Sequence, residues 1–429
     1  MKIAYVTPGS GGTFYCQNCF RDSDLLKSLE EIGHDVIRVP MYLPTNIDDP
    51  GCAADTPVFF GAINVYLKEK IPFYRHAPVW LERFFDSPAL LQYAAKKSGS
   101  VKASGLEEMT ISMLLGEKGN QASELDHLIN YLHEIKPDVV HLSNALLLGL
   151  AHRLKRDLGV GVICSLQDEN EWIDLMEEGY RDKVWQLMAE TAVDVDFFVT
   201  ASRYYSEKSQ RQLSIPARKI KVIYGGINLD GYEISPLPFE PPVIGYLCRM
   251  SEYFGLGILT DAFIKLKKDA RFKDVKLHVT GGYTTDDKSF VNEVMKKINL
   301  SGYGRDVKIF KNFNKESRVN FLKTLTLLSV PVPGGEAFGA YQVEALAAGV
   351  PVVQPRAGCF PEFVETTKGG VIYDPNNSET LTAEITSLLS APEQIRQMGT
   401  QGRKTVLERF SMDNMARDMV KVYEEVLGK

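Results

Sequence analysis

Short apolar runs alternate with amphipathic stretches along most of the chain, a period near 2 giving way repeatedly to one near 3.6. Residues 2–7 (KIAYVT) read as a buried strand and GSGG at 9–12 as a turn. A helix follows over 18–32, stopped by Gly33, and then a strand over 35–39. This is a βαβ opening. The rhythm continues with helix 125–135, strand 138–142, helix 145–156 and strands 161–165, 197–201 and 221–224. Ser202 is placed to cap the helix after 197–201, with Tyr205 where a capping box would put Glu or Gln. Four prolines within 235–242 (SPLPFEPP) make a stiff linker. The pattern then restarts: strand 243–247, a helix from about Leu256, strands 276–280 and 306–310, helix 315–322, strand 371–373, and helices 378–390, 393–408 and 412–427. Each half is predicted to be a parallel, doubly wound α/β sheet. The predicted division is 1–234, linker 235–242, 243–410 and a terminal helix 411–429. Two such domains would face a cleft.

The second half is organised around 333–355, PGGEAFGAYQVEALAAGVPVVQP. Gly334-Gly335 and Glu336 open it. A helix over 340–348 carries Glu344, Gly349 stops it, and 350–353 read as a buried strand, Pro351 favouring its start. The free N–H groups and the dipole at the helix N-terminus favour an anion. Eight helical steps would separate the two acids by roughly 12 Å. A hydrolytic carboxylate pair sits at about 5–9.5 Å. The wider spacing suits a long ligand with hydroxyls at both ends and an anion between, the shape of a nucleotide sugar. The plainer alternative is an amphipathic helix with one solvated Glu and a turn acid.

The 429 residues, 44% hydrophobic and 24% charged, allow two or three globular domains. A net charge of −6 argues against a nucleic-acid partner. No apolar run reaches the ~18 residues that span a bilayer. The opening reads as strand and turn rather than a signal peptide, and six scattered cysteines favour a reducing, cytoplasmic setting. Cys16-Gln17-Asn18-Cys19 reads first as two helix-start cysteines beside a binding cleft, next as a redox pair, and last as half a zinc site lacking its second pair.

In an open parallel sheet ligands meet the loops after the strands' C-terminal ends. His141, Ser143, Asn144 and Asp168 are predicted there. His141 reads more readily as a structural residue than a catalytic one, and the cluster 167–171 (QDENE) as a solvated helix start rather than a cation site. Phe73, Tyr74, Trp80, Phe84, Phe85 and Tyr93 mark 71–94 as either an acceptor-binding insertion or local core, and 98–105 as a surface loop. The turn 9–12 is not G-x-G-x-x-G and no acid ends the second strand, so a dinucleotide fingerprint is absent.

Glu336-x7-Glu344 with Phe338-Gly339, Ala348-Gly349-Val350-Pro351-Val352-Val353, Gly358 and Glu362 resembles the family-4 retaining glycosyltransferases. The similarity extends over most of the chain, through 9–12, 33–36, 137–141, 220–228 and 245–249. It implies the GT-B fold, two Rossmann-like domains with the C-terminal helix crossing back to the first. The donor would be a nucleotide-diphosphate sugar, with no metal or organic cofactor. Glu336 would hold the sugar's hydroxyls, Glu344 the ribose, Arg249 the leaving diphosphate, and Gly12 would lie under the phosphates. Ala337, Phe338, Gly339, Ala340 and Gly281 would complete the donor site, and Ser143 and Asp168 would join Glu336 and Arg249 in catalysis. The acceptor would be a glycan, a lipid or a small molecule. Many relatives act on lipid or envelope acceptors, which allows peripheral membrane contact, although no basic amphipathic helix is evident.

Three departures stand out. Phe254 occupies the place of a Lys that the family pairs with Arg249. Ser143 replaces the second His of His-x-His, and Gln167 replaces another His. Losing one donor aimed at developing charge typically costs about 2.7–4 kcal/mol of barrier. These losses motivate a second reading, a catalytically impaired relative that binds a sugar nucleotide or a partner protein. A third is an epimerase or phosphorylase on the same scaffold.

Overall fold

The computed structural model describes residues 1–8, 14–42, 58–61, 64, 67–68 and 105–428. Gly12, the aromatic stretch 71–94 and 98–104 lie outside the described residues. The chain divides into two compact units: unit 1 is Met1–Gly12, Asn18–Ile223 and Ala416–Lys429, and unit 2 is Thr13–Gln17 and Tyr224–Met415. The division at Ile223/Tyr224 falls ahead of the proline-rich 235–242, which lies inside unit 2. Residues 224–234 are tied there by side chains: Tyr224 donates to Glu362 at 2.7 Å and Tyr232 to Glu344 at 2.7 Å.

Unit 1 holds a six-stranded parallel sheet among its described residues: β1 (Lys2–Thr7), β2 (Asp35–Pro40), β3 (Val139–Leu142), β4 (Gly161–Leu166), β5 (Phe197–Thr200) and β6 (Ile220–Val222), ordered β2-β1-β3-β4-β5-β6. Its helices are α1 (Gln17–Glu31), α2 (Glu107–Leu114), α3 (Ala122–Ile135), α4 (Glu169–Ile173), α5 (Glu178–Thr191) and α6 (Arg203–Leu213). Central parallel strands are covered on both faces, which is why Ile3, Ala4, Tyr5 and Val6 are all fully buried. The predicted helix 145–156 is instead irregular: a 3₁₀ stretch at Ala145–Leu150, one α turn, and a π turn at Leu154–Leu158. Gly149 packs against the end of α2 so closely that a Cβ there would sit 2.1 Å from the Met113 carbonyl. Gly159, at φ +64°, closes the run. Ser202 caps α6 as expected, accepting from the Tyr205 N–H at 3.2 Å.

His141 ties this sheet to the terminal helix. Its Nδ1 lies 2.8 Å from the Tyr423 hydroxyl and its Nε2 2.9 Å from that of Ser165. Burial, with a smaller push from Arg21, holds its pKa down to about 3. The ring is therefore neutral in the fold, but in the unfolded chain it takes up a proton below pH ~6.5. The stability it carries is full above that pH and falls as the pH drops toward 3, by about 2 kcal/mol between pH 7.5 and 5. Urea melts at those two pH values on wild type and His141→Asn check this. The variant is expected to be less stable overall but to lose about 2 kcal/mol less across the interval; equal losses would refute the assignment.

Unit 2 holds a second six-stranded parallel sheet: β7 (Val243–Leu247), β8 (Lys276–Thr280), β9 (Val307–Ile309), β10 (Leu327–Leu328), β11 (Val352–Pro355) and β12 (Gly370–Tyr373), ordered β12-β11-β10-β7-β8-β9. Its helices are α7 (Leu256–Leu266), α8 (Lys288–Leu300), α9 (Lys315–Leu322), α10 (Ala340–Ala347), α11 (Phe360–Thr367), α12 (Ser378–Leu389) and α13 (Pro392–Arg409). The terminal helix α14 (Met412–Val426) begins in unit 2 and ends in unit 1. The buried strand predicted at 350–353 starts at Val352, because Pro351 has no N–H for the ladder. β10 is a strand that the sequence pattern missed. Only two residues long, it pairs with both β7 and β11 at the centre of the sheet. The connections reverse direction between β7 and β10, so the switch point of this sheet lies beyond their C-terminal ends.

Candidate functional site

Both ends of that switch point carry predicted site residues. Arg249 follows β7. The loop after β10 leads into the turn at Gly334-Gly335 and Glu336. Gly335, at φ +66°, approaches Gly358 so closely that a Cβ would lie 2.2 Å from the Gly358 nitrogen. That contact holds Glu336 inward, 3% exposed. Gly339, at φ +71°, turns the chain into α10. Glu336 therefore precedes the helix, and the estimate of eight helical steps between the two acids does not apply; Glu344 alone lies on α10.

The three charged residues meet one short segment, Phe14–Gln17, which is counted with unit 2 although the strand before it and most of α1 after it belong to unit 1. Phe14 bridges to Gly282, and its ring lies 5.2 Å from the Arg249 guanidinium. The Tyr15 N–H donates to the Gly281 carbonyl at 2.7 Å, and the Tyr15 hydroxyl to Glu344 Oε1 at 2.8 Å. Gln17 Nε2 donates to Glu336 Oε1 at 2.5 Å, while Gln17 Oε1 accepts the Ala340 N–H at 2.7 Å. The Tyr341 hydroxyl bonds the other oxygen of Glu336.

Each acid and the arginine has further partners. Glu344 Oε2 accepts from Arg318 Nε at 2.8 Å and from the Tyr232 hydroxyl at 2.7 Å. Burial opposes the charge on Arg318, but Glu344 and the two tyrosines outweigh it and raise the guanidinium pKa above its usual value. Burial pushes the Tyr15, Tyr232 and Tyr341 phenols up, with the neighbouring carboxylates adding to it, so all three are donors at neutral pH. Arg249 grips Asp287 through two bonds, of 2.8 and 3.1 Å. Burial works to raise the Asp287 pKa; the bonds from Arg249 and Thr284 outweigh it and lower it. Phe254 is buried, and its carbonyl accepts from the Tyr246 hydroxyl. Ala337 and Phe338 are buried beside Glu336, and the Phe338 carbonyl accepts from Gln342.

Tyr15, Gln17, Tyr232, Asp287, Arg318 and Tyr341 were not singled out in the sequence. Their partners lie up to more than three hundred residues away, which no local pattern encodes. The one signal was the position of 13–17 after a glycine-rich turn.

In unit 1, Ser143 follows β3. Its N–H donates to the Val6 carbonyl at 2.9 Å, and its buried hydroxyl has no hydrogen-bond partner among the described residues. Asp168 sits at φ +59° before α4. The cluster 167–171 is not a solvated helix start, because Glu169 and Asn170 are buried. Glu169 instead gathers the loop ends. It accepts from the Ala145 and Gln167 N–H groups and from the Tyr205 hydroxyl. Gln167 Nε2 reaches Asp22 at 3.2 Å. Among the described residues no group of three or more His, Cys, Asp or Glu could hold a metal ion, and no helix is long and apolar enough to cross a membrane.

Cys16 and Cys19 are disulfide-bonded, whereas Cys164, Cys248 and Cys359 are free. With six cysteines in the chain, Cys52 alone remains and cannot bond both, so Cys16 and Cys19 pair with each other. They stand at the start of α1, as the first reading of the motif has it, and are joined there.

Comparison with known proteins places both halves of the chain. Residues 233–405 match the family described as glycosyl transferases group 1, and residues 113–230 match glycosyltransferase family 4. The chain is 25% identical over 262 residues to spore coat protein SA of Bacillus subtilis, covering 57% of this chain and 69% of that one. It is 36% identical over 95 residues to the MMP alpha-(1->4)-mannosyltransferase of Mycolicibacterium hassiacum, covering 22% of this chain and 23% of that one. Anabaena HepE, solved in complex with UDP, superposes with a TM-score of 0.70 at 17% identity, over 99% of this chain and 100% of that one. At that identity the likeness concerns the fold, a two-domain GT-B architecture.

Proposed function

Since the chain belongs to the family-4 glycosyltransferases of GT-B fold, we propose that it moves a sugar from a nucleotide-diphosphate donor to an acceptor hydroxyl with retention at the anomeric carbon. The observation that carries this reading is the meeting of Arg249, Glu336 and Glu344 on one segment at the switch point of the unit 2 sheet. A donor seated there would present ribose hydroxyls to Glu344, sugar hydroxyls to Glu336, and its phosphates to Arg249 and the Ala340 N–H. Gly281, Ala337, Phe338 and Gly339 would supply backbone around it. Ser143 and Asp168 are proposed as further catalytic residues. The proposed setting is cytoplasmic, with an acceptor that is a glycan, a lipid or a small molecule. The family matches favour neither an impaired relative nor an epimerase or phosphorylase.

A thermal-shift screen with nucleoside diphosphates and their sugars tests the donor. One nucleotide class is expected to raise the melting point, because a ligand at 100 times its Kd stabilises the fold by about 2.7 kcal/mol. A flat response across the panel would overturn the reading. NMR of the product from donor and acceptor then checks the anomer, and donor incubated alone separates transfer from epimerisation.

A further inference from the structure

The Cys16–Cys19 disulfide frames Gln17, and Gln17 and Tyr15 hold four polar groups that a donor would claim. Gln17 takes Glu336 Oε1 and the Ala340 N–H, Tyr15 takes Glu344 Oε1, and the Tyr15 N–H takes the Gly281 carbonyl. Segment and ligand thus compete for the same atoms. Both cysteines are partly exposed, so a reductant can reach them. We propose that Cys16 and Cys19 form a reversible thiol–disulfide site whose oxidised state straps Phe14–Gln17 over the donor residues of unit 2, and whose reduction by a dithiol loosens the strap and strengthens donor binding. The inference rests on the donor reading given above.

The reason is geometric. Cys16 immediately precedes α1, and Cys19 lies in its first turn. Closing this four-residue ring restricts the backbone on both sides of Gln17 and keeps its amide aimed at Glu336 and Ala340. Opening the ring returns that freedom, which opposes holding one geometry. In the exchange a thiolate of the reductant attacks one sulfur, the Cys16–Cys19 bond breaks and a mixed disulfide forms. The reductant's second thiol then displaces it. The chain gains two electrons and two protons as two thiols, and the reductant leaves as its own disulfide. If the oxidised strap leaves about a tenth of molecules competent, release strengthens apparent affinity roughly tenfold.

The test compares oxidised protein, dithiol-reduced protein and the Cys16→Ser/Cys19→Ser variant, by amide hydrogen exchange without ligand and by UDP titration calorimetry. Reduction and the double variant are expected to speed exchange at the Tyr15 and Ala340 amides and to tighten UDP binding roughly tenfold. Tyr15→Phe in the oxidised protein is expected to tighten UDP as well; a weakening would make Tyr15 a wall of the site rather than a competitor, and would overturn the strap. Exchange unchanged on reduction also overturns it, whatever UDP does, as does UDP bound no more tightly by the reduced form than by the oxidised one. If exchange rises on reduction but no form binds UDP or any other nucleoside diphosphate of the thermal-shift panel, the strap stands, and it is the donor assignment of the site that falls.

Discussion

Glu336→Gln is expected to lower kcat by about 10²–10³-fold while leaving the melting point within a few degrees of wild type. The substitution keeps the volume of a side chain that is 3% exposed, so the turn set by Gly335 and Gly358 is preserved. What changes is charge and acceptor capacity. Glu336 now accepts from Gln17 on one oxygen and from Tyr341 on the other. A glutamine amide can satisfy one of those donors but meets the other with its own N–H. A sugar whose hydroxyls bond this carboxylate more strongly as charge develops at its anomeric carbon would lose that differential binding, which appears in kcat rather than in KM. Glu344→Gln, at the proposed ribose end, is expected to raise KM more than it lowers kcat. Steady-state kinetics on both variants, with the donor found by thermal shift, measure the split. Turnover of Glu336→Gln within a few-fold of wild type would remove Glu336 from the chemistry.

The residues that could be found in advance are those whose placement follows from the sheet. Arg249 stands two residues past the end of β7, and Glu336 stands in the loop after β10. The apolar run 243–247 locates the first, Gly334-Gly335 with the helix and strand after it locate the second, and the family resemblance supplied their roles. β10 itself escaped because two residues carry no period, and the flanking run 324–332 alternates too briefly to separate a strand from a turn. Buried Glu169 escaped for a different reason. Five polar residues in a row look solvated, yet one of them bonds the ends of two strands and a helix, a role set by tertiary contact alone. The Phe14–Gln17 segment is the extreme case. Its partners at 249, 281, 336, 340 and 344 have no sequence neighbourhood with it. The cysteine count then pointed toward thiols, because scattered cysteines in a large chain ordinarily stay reduced; the local spacing of 16 and 19 proved the better guide.

Arg318→Met is expected to destabilise unit 2 strongly, costing about 3–5 kcal/mol. Arg318 and Glu344 are 7% and 4% exposed as side chains, with Nε 2.8 Å from Oε2. Removing the cation leaves a buried carboxylate with two tyrosine hydroxyls as donors and no opposite charge, and the desolvation that the pair had offset is then uncompensated. Arg318 also donates to the Phe313 carbonyl at 2.8 Å, and its guanidinium lies 5.3 Å from the Tyr15 ring, so the start of α9 and the Phe14–Gln17 segment should loosen with it. Pairing the change with Glu344→Gln separates charge from packing. The double variant is expected to recover part of the loss, because a neutral amide beside a methionine asks less of its surroundings than a lone carboxylate. Urea unfolding followed by hydrogen exchange within 313–347 reads the effect in unit 2 even if the two units unfold separately. A loss below about 1 kcal/mol in Arg318→Met would put the pair in the class of screened surface bridges. Glu344 would then be held chiefly by Tyr15 and Tyr232, and a ribose approaching it would compete with two neutral hydroxyls rather than with a buried guanidinium.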